Sequence, residues 1–264
     1  MSVGINDNIS KIYQAQQTVR QTTSNQTAVA NSFSAQNKKS EKLKKIGIGV
    51  CAALGVAASL AVLAKLDKSK SYTINPLKMF RGKLKDSYIF STEYKTKEIV
   101  TIGSGSIIGG LIGGTVLGNK KDFKSKLREG IVQIANITFP IALVEALSSG
   151  GTALAEKTMP NWCNSKNVVK QAATKFPAAA GAMIGLLTGM YIGNKFSNKL
   201  NEKIFHKKEN RPIAYTDFSA HVDDIGVAAT FVAPNNFITK TISRLIPPAL
   251  IVAGYETGIK KESV

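Results

Sequence analysis

The residue whose chemistry is most unusual for its surroundings is Glu145, which lies in an otherwise apolar block at residues 130–149. An ionised side chain at the centre of a membrane costs roughly 2.5–3.5 kcal/mol, so such residues usually face a bundle interior or an ion path. Pro140 adds polarity because it frees a backbone carbonyl. Arg244, in another apolar stretch, is the expected partner of Glu145. The alternative places Glu145 at the membrane interface, near its helix end, where its charge costs little.

The cysteines and histidines do not predict a metal site or a disulfide framework. Only two cysteines are present, Cys51 and Cys163, which is too few for a closed zinc site made of thiolates. The histidines, His206 and His221, have no Cys, Asp or Glu neighbours at the spacing of metal ligands. We therefore expect no metal, and we expect both thiols to be free.

One glycine-rich stretch, GSGSIIGG at residues 103–110, invites comparison with a dinucleotide-binding loop. The third glycine of that motif would fall on Ile108, and no acidic residue follows at the required distance. The chain also contains no phosphate-binding loop, no HExxH and no GxSxG. These observations predict no catalytic residues, no cofactor and no enzymatic activity.

The elements that carry these residues are long apolar blocks. Residues 46–64, 99–118 and 176–194 contain no charged side chain, and each is close to the roughly 20 residues that cross a bilayer as a helix. Residues 130–149 and 238–256 are weaker candidates because charges interrupt them. The chain is therefore predicted to be an all-α, multi-pass transmembrane bundle with about four or five spanning helices. The alternative is a soluble protein with buried helices, but core helices are usually shorter and have a polar face.

Glycines recur at every fourth position in two of the blocks. A spacing of four puts them on one helical face, where two backbones can approach closely. The predicted helix-packing glycines are Gly110, Gly114 and Gly118 in the first series, and Gly181, Gly185, Gly189 and Gly193 in the second. The simpler interpretation is that membrane helices merely tolerate glycine.

The two glycine series are offset by 75 residues, and a basic connector and a Pro-containing apolar helix follow each one. This self-similarity predicts two glycine-zipper hairpin repeats, at residues 99–150 and 177–258. An amphipathic helix at residues 217–233 is expected as an insertion in the second repeat, with Asp217 as its cap.

The remaining segments are polar or basic. Residues 1–45 are predicted to form a mostly disordered arm with a basic end, because they contain few large apolar side chains. The other predicted segments are a first transmembrane helix at 46–65, a basic linker with an amphipathic surface helix at 66–98, a loop at 151–176 and a tail at 259–264.

The net charge of +18, from 35 basic and 17 acidic residues, raises nucleic acid as a partner. The basic clusters all adjoin apolar blocks, however, and no aromatic stacking platform accompanies them. Anionic lipid headgroups explain the same charges more simply. We therefore expect a membrane location and contacts with the lipid bilayer. A homo-oligomer or other membrane helices are further possible partners, and no nucleic acid is expected.

Two functions are compatible with this pattern. The first is a non-enzymatic membrane scaffold, or a small channel-like bundle packed through its glycines. The second is a secreted protein that inserts into a target membrane as a pore-former or effector, since the polar N-terminal arm could serve as an export signal.

Overall fold

The computed structural model describes residues 36–66, 94–208, 210–221 and 246–262, and these residues are helical with no strand among them. The helices are α1 (Gln36–Leu66), α2 (Thr96–Val116), α3 (Phe123–Thr158), α4 (Pro160–Cys163), α5 (Val168–Phe205) and α6 (Ile246–Ile259), with 3-10 turns at Lys120–Asp122 and Tyr215–His221. The chain divides into two units, Met1–Ile46 and Gly47–Val264. Of the first unit, only the helical residues 36–46 are described, so the contacts below all belong to the second.

Four of the helices, α1, α2, α3 and α5, are long and apolar enough to cross a membrane. The prediction of an all-helical chain with about four such helices is confirmed at this level. The weaker candidate at 238–256 corresponds only in part to α6, which has 14 residues, because positions up to 245 lie outside the described residues.

Polar side chains start and stop these helices. The side chain of Asn167 accepts hydrogen bonds from the backbone N–H groups of Val169 and Lys170 at 2.9 and 3.5 Å, which satisfies two of the free donors at the start of α5. At the other end of α5, His206 adopts a left-handed conformation (φ 52°), a common way to terminate a helix. At the start of α2, the Glu98 carboxylate accepts from the N–H of Lys95 at 2.9 Å.

The longest elements, α3 and α5, form an antiparallel pair and replace most of the loop predicted at residues 151–176. Helix α3 continues to Thr158 and α5 begins at Val168, with the short α4 between them. The sequence ALAEK that ends α3 consists of good helix formers, so the helix continues past the apolar block. At 36 residues, α3 is about 54 Å long.

The apolar core has two parts. The first joins α1, α2, α3 and α6, and its buried members are Val56, Leu60, Leu63, Ile99, Ile102, Ile107, Ile137, Ile141, Ile246, Leu250 and Ala253. The second lies between α3 and α5 and contains Val144, Ala182, Leu186 and Met190. Helix α3 therefore contributes side chains to both parts.

The helix predicted at 217–233 differs from the structure in its described part. Residues Tyr215–His221 form a 3-10 turn, and Asp217 lies inside this turn. Its carboxylate accepts from the backbone N–H of Ala214, before the turn, at 2.8 Å and also binds Arg211, so it holds back a preceding loop. The rest of this predicted helix lies outside the described residues. So do most of the arm at 1–45, the surface helix in the 66–98 linker, and Arg244.

Candidate functional site

The glycines of α5 bring its backbone against that of α3. A methyl group added to Gly185 would lie 2.6 Å from the carbonyl oxygen of Leu143, well inside van der Waals contact. The α5 glycines and the α3 residues whose backbone atoms they meet are Gly181 with Leu147, Gly185 with Leu143, Gly189 with Pro140, and Gly193 with Ala135. The α3 numbers fall as the α5 numbers rise, which shows that the helices are antiparallel.

The glycines of α2 face two different helices. On one face, a methyl group at Gly105 would lie 2.6 Å from the carbonyl oxygen of Gly55 in α1. On another, Gly110 meets the backbone of Gly254 in α6, and a methyl group at Gly114 would lie 2.7 Å from Cα of Gly258. The α2 and α6 numbers rise together, so these two helices run in the same direction.

These contacts do not follow the predicted hairpins. The glycines of α2 meet α6, which belongs to the second predicted repeat, and those of α5 meet α3, which belongs to the first. Helices α2 and α3 are antiparallel, since Gly103 lies beside Ile137 and Gly130 beside Ile107. Because α5 is antiparallel to α3 and α6 is parallel to α2, α5 and α6 share one direction and cannot form an antiparallel hairpin. Gly118 also differs from its predicted role, because it follows the end of α2 and its nearest atoms are those of Gly114.

Glu145 lies on the surface of the bundle rather than in its interior. Its carboxylate accepts a hydrogen bond of 2.7 Å from the hydroxyl of Thr96, the first residue of α2. Glu145 therefore lies beside the first residue of α2, but its own helix continues to Thr158, past the helix end that the interfacial alternative assumed. Its pairing with Arg244 stays a prediction, because Arg244 is not among the described residues.

The most elaborate polar site is a buried group of charges at the opposite end of the bundle. We call Glu129, Arg211, Asp217 and Lys260 the ionic cluster. The guanidinium of Arg211 binds both carboxylates: its Nη2 lies 2.7 Å from Oε1 of Glu129, and its Nη1 lies 2.8 Å from Oδ2 of Asp217. Lys260 Nζ lies 3.1 Å from Oε2 of Glu129. The four charges therefore compensate one another.

Neighbouring amides fix the cluster to the helices. Gln133, one turn after Glu129 on α3, donates from Nε2 to Glu129 at 3.0 Å and to Asp217 at 3.1 Å. The amides of Asn194 and Asn198 on α5 both donate to the carbonyl oxygen of Arg211 at 3.0 Å. Because these bonds reach both the backbone and the side chain of Arg211, they hold the loop after α5 against α3.

The electrostatics of the cluster follow from its geometry. Burial alone would lower the pKa of Arg211, but the hydrogen bonds and charges of Asp217 and Glu129 outweigh burial and raise it, so the guanidinium stays charged. Burial raises the pKa of nearby Glu256 on α6, and the negative charge of Glu129 raises it further, while Arg211 opposes both effects. Removing one partner of such a buried group leaves an uncompensated charge.

Beside the cluster lies a cavity of about 20 Å³, room for one water molecule. Its lining consists of Ser125, Arg128, Glu129, Val132, Asn198, Asn201, Arg211 and Lys260. The side-chain oxygen of Asn201 is buried there with no protein hydrogen-bond partner among the described residues, while its Nδ2 donates to the carbonyl oxygen of Arg128 at 3.1 Å. A water molecule in this cavity would satisfy that oxygen.

The geometry of the ionic cluster favours a structural role, in which it holds the loop after α5 against α3. Its charges are paired, and no serine or cysteine stands beside a base within it. His221 is fully buried, and its Nε2 lies 2.6 Å from the carbonyl oxygen of Asn136. Cys51 and Cys163 are free thiols. In the part of the chain that the structure describes, no group of His, Cys, Asp and Glu side chains could hold a metal ion.

Sequence reasoning missed the ionic cluster. Glu129 directly precedes an apolar block, and Arg211 lies in a basic connector, so each reads as an ordinary solvated charge. One signal could have pointed to Glu129. Acidic residues are few in a chain of charge +18, and Gln133 follows Glu129 at position i+4 on an apolar helix, so Glu129 is a candidate for burial. No signal joins Arg211 to Glu129 across 82 residues.

No family model, curated protein or solved structure matches this chain. The helices and the ionic cluster are therefore the basis on which its function has to be inferred.

Proposed function

We propose that this chain is a non-enzymatic integral membrane protein, a scaffold in which α1, α2, α3 and α5 span the bilayer and pack through glycines. The first support is the surface of these helices. Large apolar side chains are exposed on all four, and two from each are Leu54, Val62, Ile108, Ile112, Ile134, Leu147, Ile184 and Leu187. A surface of this kind is unfavourable in water and is solvated by lipid tails.

The observation that carries the proposal is the set of glycine contacts between backbones. In lipid, the hydrophobic effect does not drive helices together, so association depends on van der Waals contact and weak Cα–H···O bonds over surfaces that approach closely. Gly185 against Leu143, and Gly110 against Gly254, provide such surfaces on two separate helices. The same contacts give glycine a structural role in the interiors of these helices, where it costs about 1 kcal/mol relative to alanine.

The charges of α3 fit a bilayer of ordinary thickness. Residues 130–144 carry no charge, and the 16 helical steps from Glu129 to Glu145 correspond to about 24 Å of helix. This length is slightly less than the thickness of the hydrocarbon core, which is about 30 Å. The ionic cluster then lies near one membrane boundary and Glu145 near the other, where each charge costs least.

The side chains buried midway between the ionic cluster and the level of Glu145 favour a scaffold over a channel. The large buried side chains here include the apolar Ile102, Ile137, Leu186, Met190 and Leu250, and the polar pair Asn136 and His221 lies on the side of Ile137 that faces the ionic cluster. An ion path would need polar groups or water along its length. The polar cavity beside the ionic cluster has room for one water molecule, and its lining does not reach the opposite boundary.

Anionic headgroups are the proposed partners of the exposed lysines at the helix ends. Near the ionic cluster these lysines include Lys120, Lys121, Lys124, Lys195, Lys199 and Lys203. Each such cation contributes about 1 kcal/mol near an anionic surface. A homo-oligomer, or association with other membrane helices, would use the exposed apolar faces and stays part of the proposal.

The test is alkaline carbonate extraction of membranes from cells that express the chain. The proposal predicts that the chain stays in the membrane pellet with an integral marker protein, while a peripheral marker is washed out. Release of the chain with the peripheral marker would contradict it, because the apolar helices would then be a soluble core.

A further inference from the structure

An apolar groove of about 480 Å³ runs between α1 and α2 on the outer surface of the bundle. Its floor is backbone, because Gly55, Gly105 and Gly109 have no side chains to fill it. Its walls include Leu54 and Ile112, each more than half exposed. The groove therefore exists because the glycines bring the two helices together and leave a furrow beside the contact.

The groove has a positive charge at one of its ends. On α1, Lys65 lies on the same helical face as the lining positions 55, 58 and 62. On α2, Lys97 lies on the same face as the lining positions 109, 105 and 101. Because α1 and α2 are antiparallel, both lysines stand at the same end. Both are exposed, and neither forms an ion pair with another described residue.

The length of the groove matches one leaflet of a bilayer. From Thr101 to Ile112 the lining covers 12 residues of helix, whose 11 steps correspond to about 16 Å. Half of the hydrocarbon core is about 15 Å. Lys65 and Lys97 adjoin the ends of the uncharged blocks, so the positive end of the groove lies at a membrane boundary and the apolar part extends to mid-bilayer.

We propose that this groove binds one anionic phospholipid from that leaflet, with an acyl chain along the glycine floor and the headgroup phosphate between Lys65 and Lys97. The proposal rests on the membrane insertion proposed above. Apolar walls alone would accept any acyl chain, and the paired lysines select a negative headgroup.

The test uses the full chain, reconstituted in vesicles of equal phosphatidylglycerol and phosphatidylcholine and extracted into mild detergent. Native mass spectrometry then counts the lipids that remain bound. We expect one phosphatidylglycerol per chain. The double variant Lys65→Gln/Lys97→Gln should bind phosphatidylglycerol about thirtyfold more weakly, which corresponds to about 1 kcal/mol for each lysine.

Matched variants separate the groove from the rest of the surface. Lys157→Gln removes an exposed lysine from the same end of the bundle, and it should leave retention unchanged. Ala58→Phe fills the groove and should abolish retention of phosphatidylglycerol. Ile184→Phe adds bulk to the exposed face of α5 and should leave that retention unchanged. Each variant must first stay in the carbonate pellet as the parent does.

Three outcomes would overturn the proposal. Equal retention in the double lysine variant and in Lys157→Gln would show that the headgroup is not held there. A dimer without lipid would assign the groove to a second copy, and a lipid-free monomer would leave it without the proposed ligand. All three leave membrane insertion intact if the chain stays in the carbonate pellet, whereas release by carbonate would remove both proposals.

Discussion

Helices α2 and α5 have the same glycine spacing, but they use it in different surroundings. The α5 glycines at 181, 185, 189 and 193 all meet one helix, α3. In α2, Gly105 and Gly109 meet α1, whereas Gly110 and Gly114 meet α6. Because adjacent positions of a helix point about 100° apart, two series displaced by one residue create two faces. Helix α2 can thus be the centre of a group of helices, and α5 packs as one of a pair.

A second difference concerns charge. The pair formed by α3 and α5 ends at the ionic cluster, where Arg211 binds Glu129 and Asp217. The contacts of α2 with α1 and α6 involve backbone, apolar side chains and the hydroxyl groups of Ser59 and Ser106. We therefore expect the α5 side to be sensitive to the loss of a charge, and the α2 side to the gain of a methyl group.

The largest effect is expected from Arg211→Gln. This change leaves the carboxylates of Glu129 and Asp217 buried beside one another, and breaking such a group costs about 3–5 kcal/mol. The free energy of unfolding in detergent micelles measures it, with Lys199→Gln as an exposed control. If Arg211→Gln lowered the free energy of unfolding no more than Lys199→Gln does, the proposed difference between the α5 side and the α2 side would be contradicted.

The next largest effect is expected from Gly110→Ala in α2. The added methyl group meets the backbone of Gly254, which cannot turn aside as a side chain could, so we expect a loss of about 2–3 kcal/mol. The control is Gly150→Ala, since a methyl group there meets nothing within 4 Å. The control should be neutral or slightly stabilising because alanine favours a helix. If both changes had the same effect on unfolding, close packing at Gly110 would be excluded.

A smaller effect of the same kind is expected from Gly185→Ala in α5. The new methyl group meets the backbone at Leu143, but the α5 glycines face α3 alone, so α5 can shift away from it at a cost of about 1–2 kcal/mol. The measurement is the free energy of unfolding of both variants in the same detergent. The loss should be smaller for Gly185→Ala, because α5 packs through its glycines on one helix, than for Gly110→Ala, because α2 packs on two. A larger loss at Gly185 would reverse the comparison.

The smallest effect is the pH dependence caused by Glu256. Its pKa is raised in the folded chain, so folding favours its protonated form and its contribution to stability declines as the pH rises above the ordinary pKa of 4.5. The variant Glu256→Gln lacks this dependence. We expect it to become more stable relative to the parent as the pH rises from 5 to 8. Parallel stability curves for parent and variant over this range would contradict the electrostatic account of the cluster.

Much of the helical framework could be predicted from the sequence, because uncharged blocks of about 20 residues are recognisable without tertiary information. The helix ends were less predictable. The stretch around Ala155 is polar enough to suggest a loop, yet it continues α3 because its residues are good helix formers.

The partners of the helices could not be predicted from the sequence. The glycine spacing predicts that Gly185 faces a neighbour, but the same pattern is satisfied by α6 or by α3. The ionic cluster was missed for a related reason, since Arg211 and Glu129 are distant in sequence and each is flanked by ordinary surface residues. Only the course of the chain after α5 brings them together.

The most direct test of the central claim, that these helices span a membrane, is the labelling of thiols at the two ends of α3. In a chain with Cys51→Ala, the native Cys163 lies just beyond the end of α3, and Lys121→Cys adds a thiol just before its start. With a membrane-impermeant maleimide on sealed vesicles of one orientation, the account predicts that one of the two thiols reacts before the vesicles are opened and the other only afterwards. Reaction of both thiols on sealed vesicles would place both ends of α3 on the same side and contradict the account.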